Sequence, residues 1–529
     1  MLTNELYIYG CQNVQIPAHL NFGKYMLDQF RKMNNEIAVE NGDTKEKLTY
    51  KELTQCAVNL ATSLMNMGVK RGDIVAVGSE KRNTFVPTVL AIVFTGATYT
   101  PYDLNGGRAA LRHKLSITRP KYFICSKLFW ETNSDVLNSF ECIKTYITLD
   151  DAPATAISVK SLISKEVDVN RFEPAKVDGA NDTAFILYSS GTTGMPKGVC
   201  LTHLNCILNS LWDEFKDEAL KTVFVFGEWY HNYDTFMTYK FLSAGRKVVY
   251  VNNLTQDAVL RCIQDCQVNI AMLVPSHVGY MSKAENIHKY NLDSLKIIYS
   301  RSSPLHSKIV QRLRQMLPKL QDVLQGYGMT ECGELTSENW GTKGSKSGSV
   351  GMASPGITLK ISDPETNKTL GPNKHGEIRI TGPVLMKGYI GVDPSTYLDP
   401  EGFFKTGDLG YYDDDKYFYI VDRLKEMISY DGYKIAPLEL ETILLLHPDV
   451  REAGVVGKPV QYGEEPTAFV VRQPGSNITE KELVDYVASE VSPFMQLRGG
   501  VKFIEKIPRN PRGKILRRTL REMLSQFPQ

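Results

Sequence analysis

The chain has 529 residues, 42% of them hydrophobic and 23% charged, with a formal net charge of +2 at pH 7. That is ample apolar surface for a large buried core, at a length that suits three or four domain-sized units. The near-neutral balance removes any general electrostatic reason to expect nucleic acid or an acidic membrane as a partner, with a basic stretch from Arg509 to Arg521 as the local exception. Nine cysteines without a CxxC pair fit reduced, mostly buried thiols better than a disulfide framework or a zinc site. The start MLTNELYIYG lacks the basic and apolar segments of a secretory signal. The longest apolar stretch, around Val86 to Phe94, is too short to span a bilayer, and the ending Phe527-Pro528-Gln529 is not a peroxisomal address. The expected location is the cytoplasm, with no membrane span and no obligate protein partner.

In chain order, Thr49 and Glu52 form a capping box that opens an amphipathic helix running to Met67, which Gly68 stops. Ile74 to Val77 reads as a buried strand, Thr84 to Phe94 as a helix, and Ala97 to Tyr102 as the next strand. The alternation continues through Val248 to Val251, Asp257 to Cys266 and Ile270 to Val274. Helices alternating with short apolar runs predict α/β layers with mainly parallel sheets. Past about Pro355 short strands follow one another, among them Gly376 to Ile380 and Tyr417 to Val421, which predicts a β-rich subdomain. After Arg423 comes a compact α+β unit with a second capping box, Thr479 to Glu482, ahead of the helix Leu483 to Val487. The main boundary is expected in the charged segment Asp422 to Lys425, giving units of residues 1–422 and 423–529 joined by a hinge.

The most informative stretch is Ser189-Ser190-Gly191-Thr192-Thr193-Gly194-Met195-Pro196-Lys197-Gly198, between the apolar strand Ala184 to Tyr188 and a helix beginning near Thr202. Its glycines let main-chain N–H groups converge on an anion, and four hydroxyls with one ammonium add donors around the same point. This is phosphate-cradle chemistry. It departs from the Walker loop, since Pro196 precedes the lysine and Gly198 follows it.

The loop resembles the signature of the adenylate-forming superfamily of acyl-CoA synthetases, coumarate–CoA ligases, insect luciferases and peptide-synthetase adenylation domains. Nearly the whole chain shares the resemblance, because later motifs recur in order: Tyr327-Gly328-Met329-Thr330-Glu331, Lys405-Thr406-Gly407-Asp408, Asp422-Arg423-Leu424-Lys425-Glu426 and Pro511-Arg512-Gly513-Lys514. It implies a large N-terminal domain binding ATP and the acid, a small mobile C-terminal domain, and attack of a carboxylate on the α-phosphorus of ATP with release of pyrophosphate. It also implies roles. Thr330 and Gly328 would meet the nucleotide, Glu331 would hold Mg²⁺, and Tyr327 would stack on adenine. Asp408 and Arg423 would hold the ribose. Lys514 would stabilise the adenylation transition state, although a solvated lysine in a basic run is the plainer alternative. His231, Gly326 and Arg301-Ser302-Ser303 would line the acyl site, where His231 could equally be a packed ring.

The second half-reaction stays open between two partners. CoA would reach the adenylate past Gly432 and Tyr433 after rotation about Lys425, making an acyl-CoA ligase. Alternatively the adenylate would react with O₂, as in insect luciferases. Two departures from the family pattern bear on the choice: Ser429 stands where coumarate ligases and beetle luciferases usually carry lysine, and Arg301-Ser302-Ser303 replaces two glycines and an alanine. The latter is expected to narrow and polarise the acyl wall. A non-catalytic nucleotide or acyl sensor is the third reading, opposed by Lys197, Glu331, Asp408, Arg423 and Lys514 occurring together.

Overall fold

The computed structural model describes residues 5–11, 21–104, 107–150, 156–189, 195–211, 215, 217–284, 286–301, 305, 307–338, 346–431, 433–461, 463–510 and 513–524, apart from the side chain of residue 276. Among these residues the strands form four sheets. The two largest are mainly parallel. One runs in the order Gly388–Tyr389, Lys197–Thr202, Thr183–Ser189, Thr98–Tyr102, Ile74–Gly78, Tyr122–Cys125, Thr145–Thr148, Ile157–Ser158. The other runs Met352–Ala353, Gly333–Ser337, Asp322–Met329, Ile297–Ser300, Ile270–Leu273, Thr222–Val225, Lys247–Tyr250, Ile37–Asn41, Lys47–Thr49.

The central strands are apolar on both faces because apolar clusters pack against both sides of them, as parallel sheets require. Successive side chains point to opposite faces, so Val75 and Val77 join one core while Ala76, between them, joins another with Phe123 and Phe129. In the second sheet Ile297 and Tyr299 face the shared core, and Ile298 faces a third cluster beneath the helices Gln256–Asp265 and Ser307–Met316. Helices Phe22–Phe30, Tyr50–Asn66, Phe85–Phe94, His203–Leu211 and Asn232–Ser243 fill the layer in between. Phe85–Phe94 is buried along its whole length, which explains its unbroken apolar sequence. Each side chain so enclosed contributes about 1.5–3 kcal/mol.

The expected capping boxes are present: Thr49 and Glu52 exchange side-chain and backbone bonds at the start of Tyr50–Asn66, and Thr479 and Glu482 do so before Glu480–Glu490. One strand comes in addition to those expected: Lys197–Thr202 lies antiparallel to Thr183–Ser189 with Lys197 opposite Ser189. The helix then starts at His203, next to the expected Thr202. The alternation of Val199 and Leu201, both fully buried, with the half-buried Cys200 is the period-2 signal of that strand.

A third, antiparallel sheet contains Ile8–Tyr9, Thr358–Ser362, Thr369–Leu370, Gly376–Thr381, Phe404–Tyr412 and Phe418–Arg423. A short 3₁₀ turn, Leu424–Glu426, leads to the fourth sheet, built from Ile428–Tyr430, Tyr433–Ile435, Val450–Val460, Gly463–Arg472 and Val501–Phe503. This last sheet packs helices Pro437–Leu446 and Glu480–Glu490 around its own core of Leu440, Leu444, Val455, Val470 and Leu483. No helix among the described residues is long and apolar enough to cross a membrane.

Candidate active site

Strand Asp322–Met329 changes partners midway. Asp322 to Gln325 pairs in parallel with Ile297–Ser300, whereas Gly326 to Met329 pairs antiparallel with Gly333–Ser337. The change lies at the carboxyl ends of the parallel strands, where open α/β sheets place their ligands. A register shift at Tyr327/Gly328 tightens the hairpin, and a Cβ on Gly328 would lie 2.2 Å from the Gly333 carbonyl oxygen. Only glycine fits there. The turn holds Thr330 and Glu331 in buried positions.

Tyr327 meets the third sheet. Its hydroxyl donates to Asp408 Oδ2 at 2.6 Å, and Arg423 Nε lies 2.9 Å from Asp408 Oδ1. Asp408 and Arg423 are cross-strand neighbours, so register alone sets the pair. Before Asp408 the chain turns through Gly407, φ +70°, whose N–H donates to Glu377 at 3.1 Å. Glu377 is held in turn by the buried guanidinium of Arg379 at 2.8 Å. Thr406 Oγ1 accepts from the Asp408 N–H at 3.1 Å and donates to the Ile378 carbonyl at 2.6 Å. Burial, and after it the Asp408 carboxylate, hold the Tyr327 phenol well above its ordinary range, so its proton stays on the bond to Asp408.

Glu331 has a partner that no sequence motif pointed to. Tyr389 donates its hydroxyl to Glu331 Oε1 at 2.7 Å, and burial raises the pKa of the same phenol while the nearby Ser189 side chain lowers it. Lys197 Nζ lies 5.0 Å from the centre of the Tyr389 ring. Tyr389 arrives on Gly388–Tyr389, which pairs with Val199 and Cys200 of the strand after the phosphate loop. Ser189, Lys197 and Glu331, read from separate motifs, thus meet around one tyrosine. Ser190, Gly191, Thr192, Thr193 and Gly194 lie outside the described residues.

On the other side of Gly326 lies Arg301, directly after strand Ile297–Ser300. It is 5% exposed, turned inward rather than to solvent. Its Nη2 pairs with Glu334 Oε1 and donates to the Tyr299 hydroxyl at 2.8 Å, and the guanidinium lies 4.7 and 4.9 Å from the ring centres of Tyr233 and Tyr299. Glu334 also accepts from Tyr299 at 3.0 Å and from Lys240 at 3.3 Å. Burial opposes ionisation of Glu334, but Arg301 and then Lys240 outweigh it and hold the carboxyl down at about 2. A Cβ on Gly326 would meet Arg301 Nε and Nη2 at 2.8 Å. His231 caps the helix Asn232–Ser243 that carries Tyr233 and Lys240, and its ring lies 4.4 Å from that of Tyr230. Asn232 Nδ2 reaches the Met329 carbonyl at 3.4 Å, tying this helix start to the Thr330 turn. Ser302 and Ser303 lie outside the described residues.

A profile of the AMP-binding enzyme family matches residues 27–390, and one of the AMP-binding enzyme C-terminal domain matches residues 439–514. The chain belongs to the AMP-binding enzyme family. A luciferin 4-monooxygenase of Photuris pensylvanica is 34% identical to this adenylate-forming enzyme, over 95% of this chain and 94% of its own. A 4-coumarate–CoA ligase of Humulus lupulus is 32% identical, over 97% and 95%. The solved structure of ATP-bound MatB from Rhodopseudomonas palustris superposes with a TM-score of 0.84 at 28% identity, covering 95% of this chain and 99% of that one.

The C-terminal unit of the enzyme carries the remaining sequence-predicted residues. Lys425, 41% exposed at its side chain, lies in the connecting turn 3.7 Å from Glu426. Partial burial lowers its pKa. Asp422, just before the turn, accepts from the Leu438 N–H at 3.0 Å, while Arg517 pairs with Glu441 at 2.7 Å behind it. Lys514 follows Gly513, φ +74°, in a loop closed by an Arg509–Ile515 bridge. The Lys514 N–H donates to Asn510 Oδ1 at 3.0 Å, and Arg509 holds the Gly513 carbonyl at 2.7 Å and Glu452 at 3.2 Å. This is a shaped loop. Ser429 accepts from Lys434 Nζ at 2.5 Å, and the half-exposed Tyr433 stacks on Phe494 with ring centres 4.4 Å apart. Gly432, Pro511 and Arg512 lie outside the described residues.

Proposed function

We propose that the enzyme converts a carboxylic acid and ATP to an acyl-adenylate and pyrophosphate, and then transfers the acyl group to the thiol of CoA. A carboxylate oxygen attacks the α-phosphorus, the bond to the β-phosphate breaks, and pyrophosphate leaves. Thiol sulfur then attacks the acyl carbon as AMP departs. Both first reactants are anions, so the site must neutralise charge and hold them in line.

The observation that carries this reading is the convergence of Tyr327 and Arg423 on Asp408. An ionised carboxylate offers about four acceptor positions, and these two bonds leave capacity on both oxygens, as a vicinal diol of ribose requires. The Tyr327 ring, its hydroxyl fixed, is free to stack on adenine with its face. Ser189 and Lys197 border the phosphate segment, with Thr330 on the neighbouring turn. Glu331, a buried carboxylate beside them, fits Mg²⁺ by the chemistry of its donor oxygens; when bound, the ion supplies neutralisation of phosphate charge. His231, Gly326 and Arg301 line the acyl side. We assign residues 1–422 to the nucleotide- and acid-binding domain and 423–529 to a mobile domain. Lys514 would serve adenylation from its shaped loop, and rotation about Lys425 would bring Tyr433 to the CoA path.

Incubation with cell extract followed by mass spectrometry tests this. An acyl-adenylate retained by Lys425→Ala and absent from Lys514→Ala is the expected result. No adenylate in either variant or in the parent enzyme would contradict it. The likeness to luciferin 4-monooxygenases favours a second ending, oxidation of the adenylate by O₂. Thioester formation with CoA, set against light emission with luciferins, separates the two.

A further inference from the structure

We propose that the Arg301–Glu334 pair forms the floor of the acyl pocket and selects a compact acid whose distal end carries a neutral hydrogen-bonding oxygen, a hydroxyl or a carbonyl. The inference rests on the adenylation reading and adds to it the class of acid.

Position comes first. Arg301 leaves the carboxyl end of a parallel strand and folds back over Gly326, the residue before Tyr327. A methyl group on Gly326 would lie 2.8 Å from Arg301 Nε and 2.6 Å from the Tyr299 hydroxyl. The guanidinium therefore fills the volume beside bare backbone at the junction of the nucleotide and acyl sides. The rings of Tyr299 and Tyr233 enclose it, and Tyr233 stands two residues after His231. A long acyl chain running past His231 would meet this cluster and stop.

Chemistry comes second. Among the described residues Arg301 Nη2 meets Glu334 and Tyr299, while Nε is buried with no hydrogen-bond partner there. A buried donor without an acceptor is costly, and a bound oxygen that accepts from it removes that cost. Glu334 is already paired with Arg301 and also accepts from Lys240 in the same cluster. A second carboxylate on the acid would bring a like charge against Glu334 within the same enclosed cluster. A neutral oxygen meets no such repulsion. A saturated chain would seal Nε against hydrocarbon, which a polar site penalises far more than an apolar pocket penalises a missing methylene.

Acid-dependent ATP–pyrophosphate exchange tests the proposal, using short hydroxy and oxo acids against their deoxy analogues, dicarboxylic acids of matched length, and long saturated fatty acids. The wild-type enzyme should prefer the hydroxy or oxo member of a pair by about tenfold or more in kcat/KM. Arg301→Lys keeps a cation for Glu334 but removes Nε, and should collapse that ratio toward unity. The double variant Arg301→Gly/Glu334→Ser should admit the long saturated acids; a cooperative thermal melt shows whether it has folded, and if it has not, the wild-type profile and Arg301→Lys still decide. A dicarboxylic or long saturated acid as the best wild-type substrate would overturn the proposal, as would a ratio that survives Arg301→Lys. Exchange with no acid at all would instead remove the adenylation reading, and this inference with it.

Discussion

Two regions meet at Gly326, and their polar groups are organised differently. On the proposed nucleotide side, Tyr327 and Arg423 each make one bond to the buried Asp408, one to each oxygen. On the acyl side, Arg301, Glu334, Tyr299 and Lys240 satisfy mainly one another in a buried cluster. The first arrangement suits a ligand of fixed chemistry, where the same ribose and phosphates are met whatever the acid. The second, on the proposed reading, would set the depth and polarity of the acyl pocket.

If the acyl cluster is a mutually dependent unit, breaking it in half should be worse than removing it. Arg301→Met leaves Glu334 buried with less compensation and should cost about 3–5 kcal/mol in urea unfolding. Arg301→Met/Glu334→Leu should recover most of that loss. Equal losses in the single and double variants would mean the pair is not a unit. On the nucleotide side, Asp408→Asn keeps the size of the side chain but weakens the acceptor, and should lower kcat/KM for ATP by about 10²-fold with little change in stability. A variant with unchanged ATP kinetics would detach Asp408 from the nucleotide.

The regions should also differ in their response to acid. The Glu334 carboxyl sits at about 2 in the fold, below the ordinary value of 4.5. Its folded pKa is depressed, so its contribution is complete above the ordinary value and is lost as pH falls through the folded one. Unfolding measured between pH about 4.5 and about 3.5 should therefore lose on the order of 1 kcal/mol that Glu334→Gln does not lose. Identical slopes would place the acid sensitivity elsewhere. The smallest effect belongs to neither region: Thr479→Ala removes a capping box and should cost about 1 kcal/mol in urea unfolding at neutral pH.

The nucleotide side was largely legible in the sequence, because its residues fall in short ordered motifs and the pairing of Asp408 with Arg423 follows from adjacent strands. The helix starts at Thr49 and Thr479 were legible because a capping box is local. Tyr389 was not, since its bond to Glu331 spans 58 positions and depends on a two-residue strand beside Cys200. Arg301 was singled out by sequence, yet its partner Glu334 and the Lys240 that shares that carboxylate come from a hairpin and a helix far apart in the chain, and nothing local marks either. The helix start beside Thr202 was legible, but the strand Lys197–Thr202 before it was missed because its pairing partner lies across the glycine-rich segment. Long-range pairing, more than propensity, separates what was read from what was not.

The account rests on acyl-adenylate formation with Lys514 acting in that step, and acid-dependent ATP–pyrophosphate exchange by wild-type enzyme and Lys514→Ala tests it most directly. Exchange in the wild type that falls by about 10²-fold or more in the variant, with ATP still bound by both, is the predicted result. Exchange of equal rate in the two proteins, or none in the wild type with any acid, would contradict it.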